Sequence, residues 1–112
     1  MEIHFEDNKK GKQLKKECES NKEAKKTYGT NVAKHLITAL YDLIDSPTLG
    51  DMDCRNPHPL DGDLKGCFAI SITGKYRIIF KPNDNPPSLK DDGSIDRDGV
   101  ISILIVDICN YH

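Results

Sequence analysis

The chain has 112 residues, 18 acidic and 16 basic, with a formal net charge of −2 and a mean hydropathy of −0.57. That length holds one domain with one modest core, and the domain is expected to span residues 1–112. No stretch approaches the roughly 18–20 apolar residues of a membrane span. Met1–His4 lacks the basic start and apolar run of a signal peptide, so a cytoplasmic address away from membranes is expected.

Taken in chain order, Glu2–Glu6 alternates, with Ile3 and Phe5 apolar, and predicts a short first strand. From Asn8 to Tyr28 the chain is rich in Lys, Glu and Gln with sparse apolar residues, which predicts a polar, exposed helix. Ser20 and Glu23 stand at the spacing of a capping box that restarts it. Gly29 offers a stop, and Thr30 an N-cap for the next helix. In Asn31–Asp45, the residues Val32, Leu36, Ala39, Leu40 and Leu43 recur at spacings of three and four, which predicts a helix with one apolar stripe ended by Ser46-Pro47.

Thr48–Asp63 is irregular, rich in Pro, Gly, Asp and Asn. Three strands are then expected. In Cys67–Thr73, Phe68, Ile70 and Ile72 share one face; after a turn at Gly74, Tyr76, Ile78 and Phe80 share a face of Lys75–Lys81. A polar loop, Lys81–Gly99, precedes Val100–Ile108, a nearly continuous β-branched run suited to a central strand buried on both faces. The order β-α-α-β-β-β makes an α+β domain, two N-terminal helices packed as a hairpin on a small twisted, mostly antiparallel sheet. Its first strand is expected to pair away from its sequence neighbours, because the helices must cross one face.

The four cysteines read as reduced thiols, with Cys67 and Cys109 in apolar runs where Cys serves as a small core residue. Cys54-x3-His58 and Cys109-x2-His112 superficially suit a metal, but no CxxC knuckle is present, so neither metal nor cofactor is expected. The slightly negative charge argues against a general nucleic-acid binder. Its distribution is uneven, with lysines crowding Lys9–Lys34 and acids crowding Asp84–Asp98. The lysine run is either a solvated face or a surface turned towards RNA.

Three segments place cationic or titratable groups at loops or strand ends: Asn56–Gly66, Gly74–Phe80 and Asn110–His112. Cleaving RNA asks for little more. A base must take the 2′-hydroxyl proton, cations must offset charge growing on the phosphate, and an acid must protonate the leaving oxygen. Histidine serves as acid or base near neutral pH, Lys and Arg supply charge, and Tyr stacks on an unpaired base or relays a proton. Each residue also has a bland reading. His58 between two prolines suits a turn, Arg77 a solvent-facing strand position, and Tyr111-His112 a frayed tail.

The combination is more specific. His58-Pro-Leu-Asp-Gly-Asp-Leu-Lys-Gly66, Cys67-Phe68, Lys75-Tyr-Arg-Ile-Ile-Phe80 and Ile108-Cys-Asn-Tyr-His112 stand in the order and spacing of HigB-type killer proteins of the RelE/ParE superfamily. Lys26-Thr-Tyr-Gly29 and Asp92-Gly-Ser-Ile-Asp96 resemble a subgroup of that family, and the likeness runs over essentially the whole chain.

This resemblance implies a RelE-like fold and the toxin of a type II toxin–antitoxin pair. The toxin would be a metal-independent endoribonuclease that cuts messenger RNA on the ribosome, held inactive by a HigA-like helix-turn-helix antitoxin. Carried over by position, it implies His58 or His112 in proton transfer, Lys65 and Arg77 offsetting phosphate charge, and Tyr111 stacking or orienting. Lys75 and Arg55 join Lys65 and Arg77 as RNA contacts. Two departures stand out. Asn110 occupies the place where an Asp usually precedes Tyr-His, and the chain is mildly acidic where such toxins are basic. Two rival readings are a ParE-like toxin that poisons a topoisomerase through protein contact and a non-catalytic antitoxin-binding module.

Overall fold

The computed structural model describes every residue except Asp53, Asn85, Tyr111 and His112. Strand β1 (Glu2–Phe5) leads into α1 (Lys9–Glu19), α2 (Asn21–Tyr28) and α3 (Thr30–Asp45). After an irregular stretch come β2 (His58–Pro59), β3 (Phe68–Ser71), β4 (Tyr76–Pro82) and β5 (Ser102–Asn110). The five strands form one sheet in the order β1-β5-β4-β3-β2. β1 runs parallel to β5 and the remaining pairings are antiparallel. The first strand thus pairs away from its sequence neighbours, because the helices carry the chain across one face before it returns.

The expected first helix is two helices. Ser20 is extended, at φ −126°, and its hydroxyl accepts from the Glu23 N–H, so it closes α1 and caps α2 at once. The second cap differs from expectation. Gly29, at φ +88°, is the N-cap of α3, and Thr30 is already helical with no side-chain cap. A left-handed φ at the junction is open to Gly at little steric cost, so α3 starts one residue early. Where α1 begins, a Cβ on Gly11 would collide with the Glu6 carbonyl, so the helix lies directly on the backbone after β1.

The apolar stripe of α3 presents Ala33, Leu36, Ala39, Leu40 and Leu43 to the sheet, all buried, while Val32 sits at the margin. They meet Phe68 and Ile70 of β3, Ile78 and Phe80 of β4, and Ile103, Ile105 and Ile108 of β5. Between Ile79↔Asp107 and Phe80↔Ile105 the register shifts, so β5 has one extra residue at Val106. This bulge lets Ile105 and Ile108, three apart, face the same core. β5 is an interior strand, between β1 and β4, while β4 holds the middle of the sheet. The expected burial on both faces is not found: among the described residues no helix packs on the other face, and Val106 and Cys109 there are half-buried. That second face carries a small cluster, Cys67, Ala69 and Ile79, with Leu60, Val106 and Cys109 packed around it.

β2 was not foreseen. Two residues, one a proline, are too short for any periodicity, and Pro59 is tolerated there because β2 is an edge strand. Among the described residues, no helix is long and apolar enough to cross a membrane.

Candidate active-site cleft

The helix-free face of the sheet is where the chemistry-bearing side chains fall. Strand alternation sends Tyr76, Ile78 and Phe80 towards the helices, and therefore Arg77 and Ile79 to the other side. Arg77 lies opposite Ser71 on β3 and opposite Cys109 on β5. His58 lies opposite Ala69 on β3. β2 covers only Phe68 and Ala69, so beyond Ala69 no described strand pairs with the outer edge of β3, and the Arg55 side chain bonds to the Ser71 carbonyl there. A cleft of about 310 Å³ occupies this gap, with Arg55, Asn56 and His58 on one wall and Ser71, Tyr76 and Arg77 on the other.

Each wall is fixed by identifiable contacts. Arg55 donates from Nε to the Asp42 carboxylate on α3 at 2.7 Å, and from a terminal nitrogen to the Ser71 carbonyl at 3.1 Å. Asn56 is left-handed at φ +45°, a conformation that Asn tolerates better than most residues. It turns the chain into buried Pro57, whose carbonyl accepts from Arg97 at 3.4 Å. The Arg97 guanidinium also sits 4.9 Å from the centre of the Phe68 ring. The exposed His58 side chain therefore stands on a backbone held from both sides. Across the cleft, the Thr73 hydroxyl accepts from the N–H groups of Lys75 and Tyr76, each at 3.3 Å, and closes the β3–β4 turn.

The charge of the cleft sets it apart. No Asp or Glu is among its described lining residues, although the chain has more acids than bases. Two guanidinium groups and one imidazole share it. A neighbouring cleft on the other side of β2 is mixed, with Lys65, Lys90 and Arg97 interleaved with Asp61, Asp96 and Asp98. The first cleft, lined by cations and no described acid, suits an anionic ligand such as a phosphodiester better than the second, whose lining mixes cations with acids.

Of the residues singled out in the sequence, His58, Arg77 and Arg55 come together in this cleft. Lys75 is exposed in the adjoining turn, between the lining residues Gly74 and Tyr76. Lys65 does not join them. It lies in the loop from β2 to β3, past the Pro59↔Phe68 pair, while Arg77 pairs with Ser71 at the opposite end of β3. It lines the mixed cleft and a further groove beside Lys81. Tyr111 and His112 lie outside the described residues; β5 runs as far as Asn110, which pairs with Tyr76 at the cleft wall. Arg55 is already engaged by Asp42, so its first job is to tie the cleft to α3.

Asn56, Ser71, Thr73 and Tyr76 were missed as cleft residues. Their only signals were a pre-proline Asn and the turn at Gly74, and neither says that the two turns face each other. Cys54 is exposed and Cys109 half-buried, and no group of three His, Cys, Asp or Glu residues is placed for a metal among the described residues.

An α+β domain with three N-terminal helices on a five-stranded, mostly antiparallel sheet, and a cationic cleft on the uncovered face, is the class of protein that these features define. The same fold occurs in the YoeB–YefM complex from Staphylococcus aureus. One chain of that structure matches with a TM-score of 0.50 at 16% identity, over 100% of this chain and 97% of the other. At that identity the likeness is one of fold. No protein-family model matches the chain, and no curated protein matches it significantly.

Proposed function

We propose that this protein is the toxin of a type II toxin–antitoxin pair and acts as a ribosome-dependent endoribonuclease on messenger RNA. The observation that carries the reading is the cleft itself, where His58 and Arg77 meet with no described carboxylate in the lining. The fold shared with the YoeB–YefM complex supports it, since YoeB is a RelE-superfamily toxin.

In this reading a strand of RNA lies over the open edge of β3. His58 or His112 takes the 2′-hydroxyl proton, and the freed oxygen attacks the adjacent phosphorus. The other histidine protonates the departing 5′ oxygen, leaving a cyclic phosphate and a free 5′-hydroxyl. Arg77 offsets the charge that grows on the phosphate, and Tyr111 stacks on or orients a base. No metal or other cofactor takes part. Arg55 and Lys75 meet phosphates at the rim, and Lys65 a phosphate further along the strand. A HigA-like helix-turn-helix antitoxin would hold the protein inactive in the cytoplasm, encoded in a short neighbouring reading frame.

A second reading, a non-catalytic antitoxin-binding module, is favoured by Asn110. An amide there hydrogen-bonds but cannot raise a neighbouring histidine's pKa as a carboxylate would. The deciding experiment is induced expression in bacteria with message cleavage followed during translation. The double change His58→Ala, His112→Ala should abolish cleavage and growth arrest while antitoxin binding persists. Full toxicity of that variant would remove the surface from catalysis and leave a topoisomerase-poisoning toxin as the better reading. Asn110→Asp should raise toxicity if the amide is a weakening change.

A further inference from the structure

One buried charge has no part in the chemistry above. Glu17 lies in the polar helix α1, yet it is only 5% exposed. Burying a carboxylate is costly unless it is well bonded. Its oxygens accept from the Tyr28 hydroxyl at 2.5 Å and from the Gln13 amide at 2.9 Å. Tyr28, the last residue of α2, in turn meets the Tyr76 ring edge to face, with centroids 5.6 Å apart and planes at 76°. Tyr76 lines the cleft beside Arg77 and pairs with Asn110, immediately before Tyr111-His112. A chain of directed contacts thus runs from α1 to the cleft wall.

We infer that Tyr28, anchored by the buried Glu17 carboxylate, is a positioning residue for the cleft, holding the Tyr76 ring and with it the ends of β4 and β5. The inference rests on the nuclease reading for its kinetic consequences. Edge-to-face pairs have a preferred geometry, so fixing the hydroxyl of one ring fixes the tilt of the other. Tyr28 is not among the residues lining the cleft, and it meets the cleft wall through Tyr76. The Lys26-Thr-Tyr-Gly29 motif then has a physical reason: Tyr28 must end α2 so that Gly29 can turn the chain into α3.

The test separates positioning from plain stability. Tyr28→Phe should lower kcat for ribosome-bound message about ten- to a hundredfold, the scale of a small misplacement, with KM held within about twofold. It should also lower Tm, since it leaves the carboxylate with one partner fewer. The pair Glu17→Leu, Tyr28→Phe removes both ends of the bond and should recover Tm. If kcat stays low in that stable pair, Tyr28 positions the cleft; if kcat returns with Tm, the role is merely structural and the inference is overturned. A Tyr28→Phe variant with wild-type kcat also overturns it. If the unaltered protein cuts no message, the nuclease reading fails by itself. The inference is then judged by the NMR ring resonances of Tyr76, which shift in the double variant if Tyr28 holds the ring and stay fixed if it does not.

Discussion

The two faces of the sheet differ in almost everything except the strands that make them. On the helix side, Phe68, Ile70, Ile78 and Phe80 join the α3 stripe in a closed apolar core. On the other side, the same β3 and β4 offer Ala69, Ser71, Arg77 and Ile79, with only a small apolar cluster and an open cleft beside it. Alternate residues therefore go to the core and to the open face, and a register slip of one position would exchange them. The helix face specifies the register, because it has most to lose. The open face is free to carry polar and cationic groups that a core would reject.

If that division holds, core truncations should cost stability and leave the cleft's chemistry intact per folded molecule. Leu36, fully buried, faces the sheet from α3. Leu36→Ala should lower the unfolding free energy by about 2–5 kcal/mol, read from urea denaturation. A loss under about 1 kcal/mol would mean that the helix layer is not what holds the sheet.

Arg77 sharpens the contrast from the other side, for it is one residue from fully buried Ile78. Arg77→Ala should reduce cleavage about 10²- to 10³-fold, as loss of a charge-stabilising donor does. Its cost in stability should stay near the middle of the range for point mutants, about 1 kcal/mol. Unfolding comparable to Leu36→Ala would show that Arg77 is structural and that the faces are not divided in this way.

Ser20→Ala tests the helix layer more gently, removing the hydroxyl that accepts from the Glu23 N–H. It should cost about 1 kcal/mol and leave cleavage unchanged, because α2 reaches the cleft only through Tyr28 at its other end. Cleavage falling further than stability would mean that the start of α2 also shapes the cleft.

How much of this was legible in the sequence follows the same division. The core face was readable because burial imposes periodicity, and Leu36, Leu40, Leu43, Ile78 and Phe80 carry it plainly. The cleft was readable only in part. Arg77 followed from alternation, and His58 from its motif. That the turn at Asn56 closes against the turn at Gly74 depends on the Arg55–Asp42 bridge to α3 and on Arg97 reaching Pro57. Such long-range contacts leave no local period. The placement of Lys65 failed for the same reason, since a two-residue strand set which way its loop would point.

The smallest expected effect lies in the alkaline range, on the helix side. Burial, reinforced by the neighbouring charges of Glu17 and Glu19, raises the Cys18 thiol from 9.0 to about 12. Tyr28 is raised too, first by burial and then by its hydrogen bond to Glu17. Both stay neutral in the folded protein where the unfolded chain would already ionise. Below pH about 9 both states hold these protons, and neither group makes stability depend on pH. Above it the unfolded chain releases protons that the folded chain keeps, so stability falls as pH rises from about 9 towards 12. The informative quantity is the difference between the unaltered protein and Cys18→Ala in denaturant titrations from pH 7 to 11. The stability gap between the two should change little up to about pH 9 and then move in favour of Cys18→Ala. A gap that stays constant to pH 11 would mean that the thiol is solvated, and that the helix layer over β1 is looser than the core beneath α3.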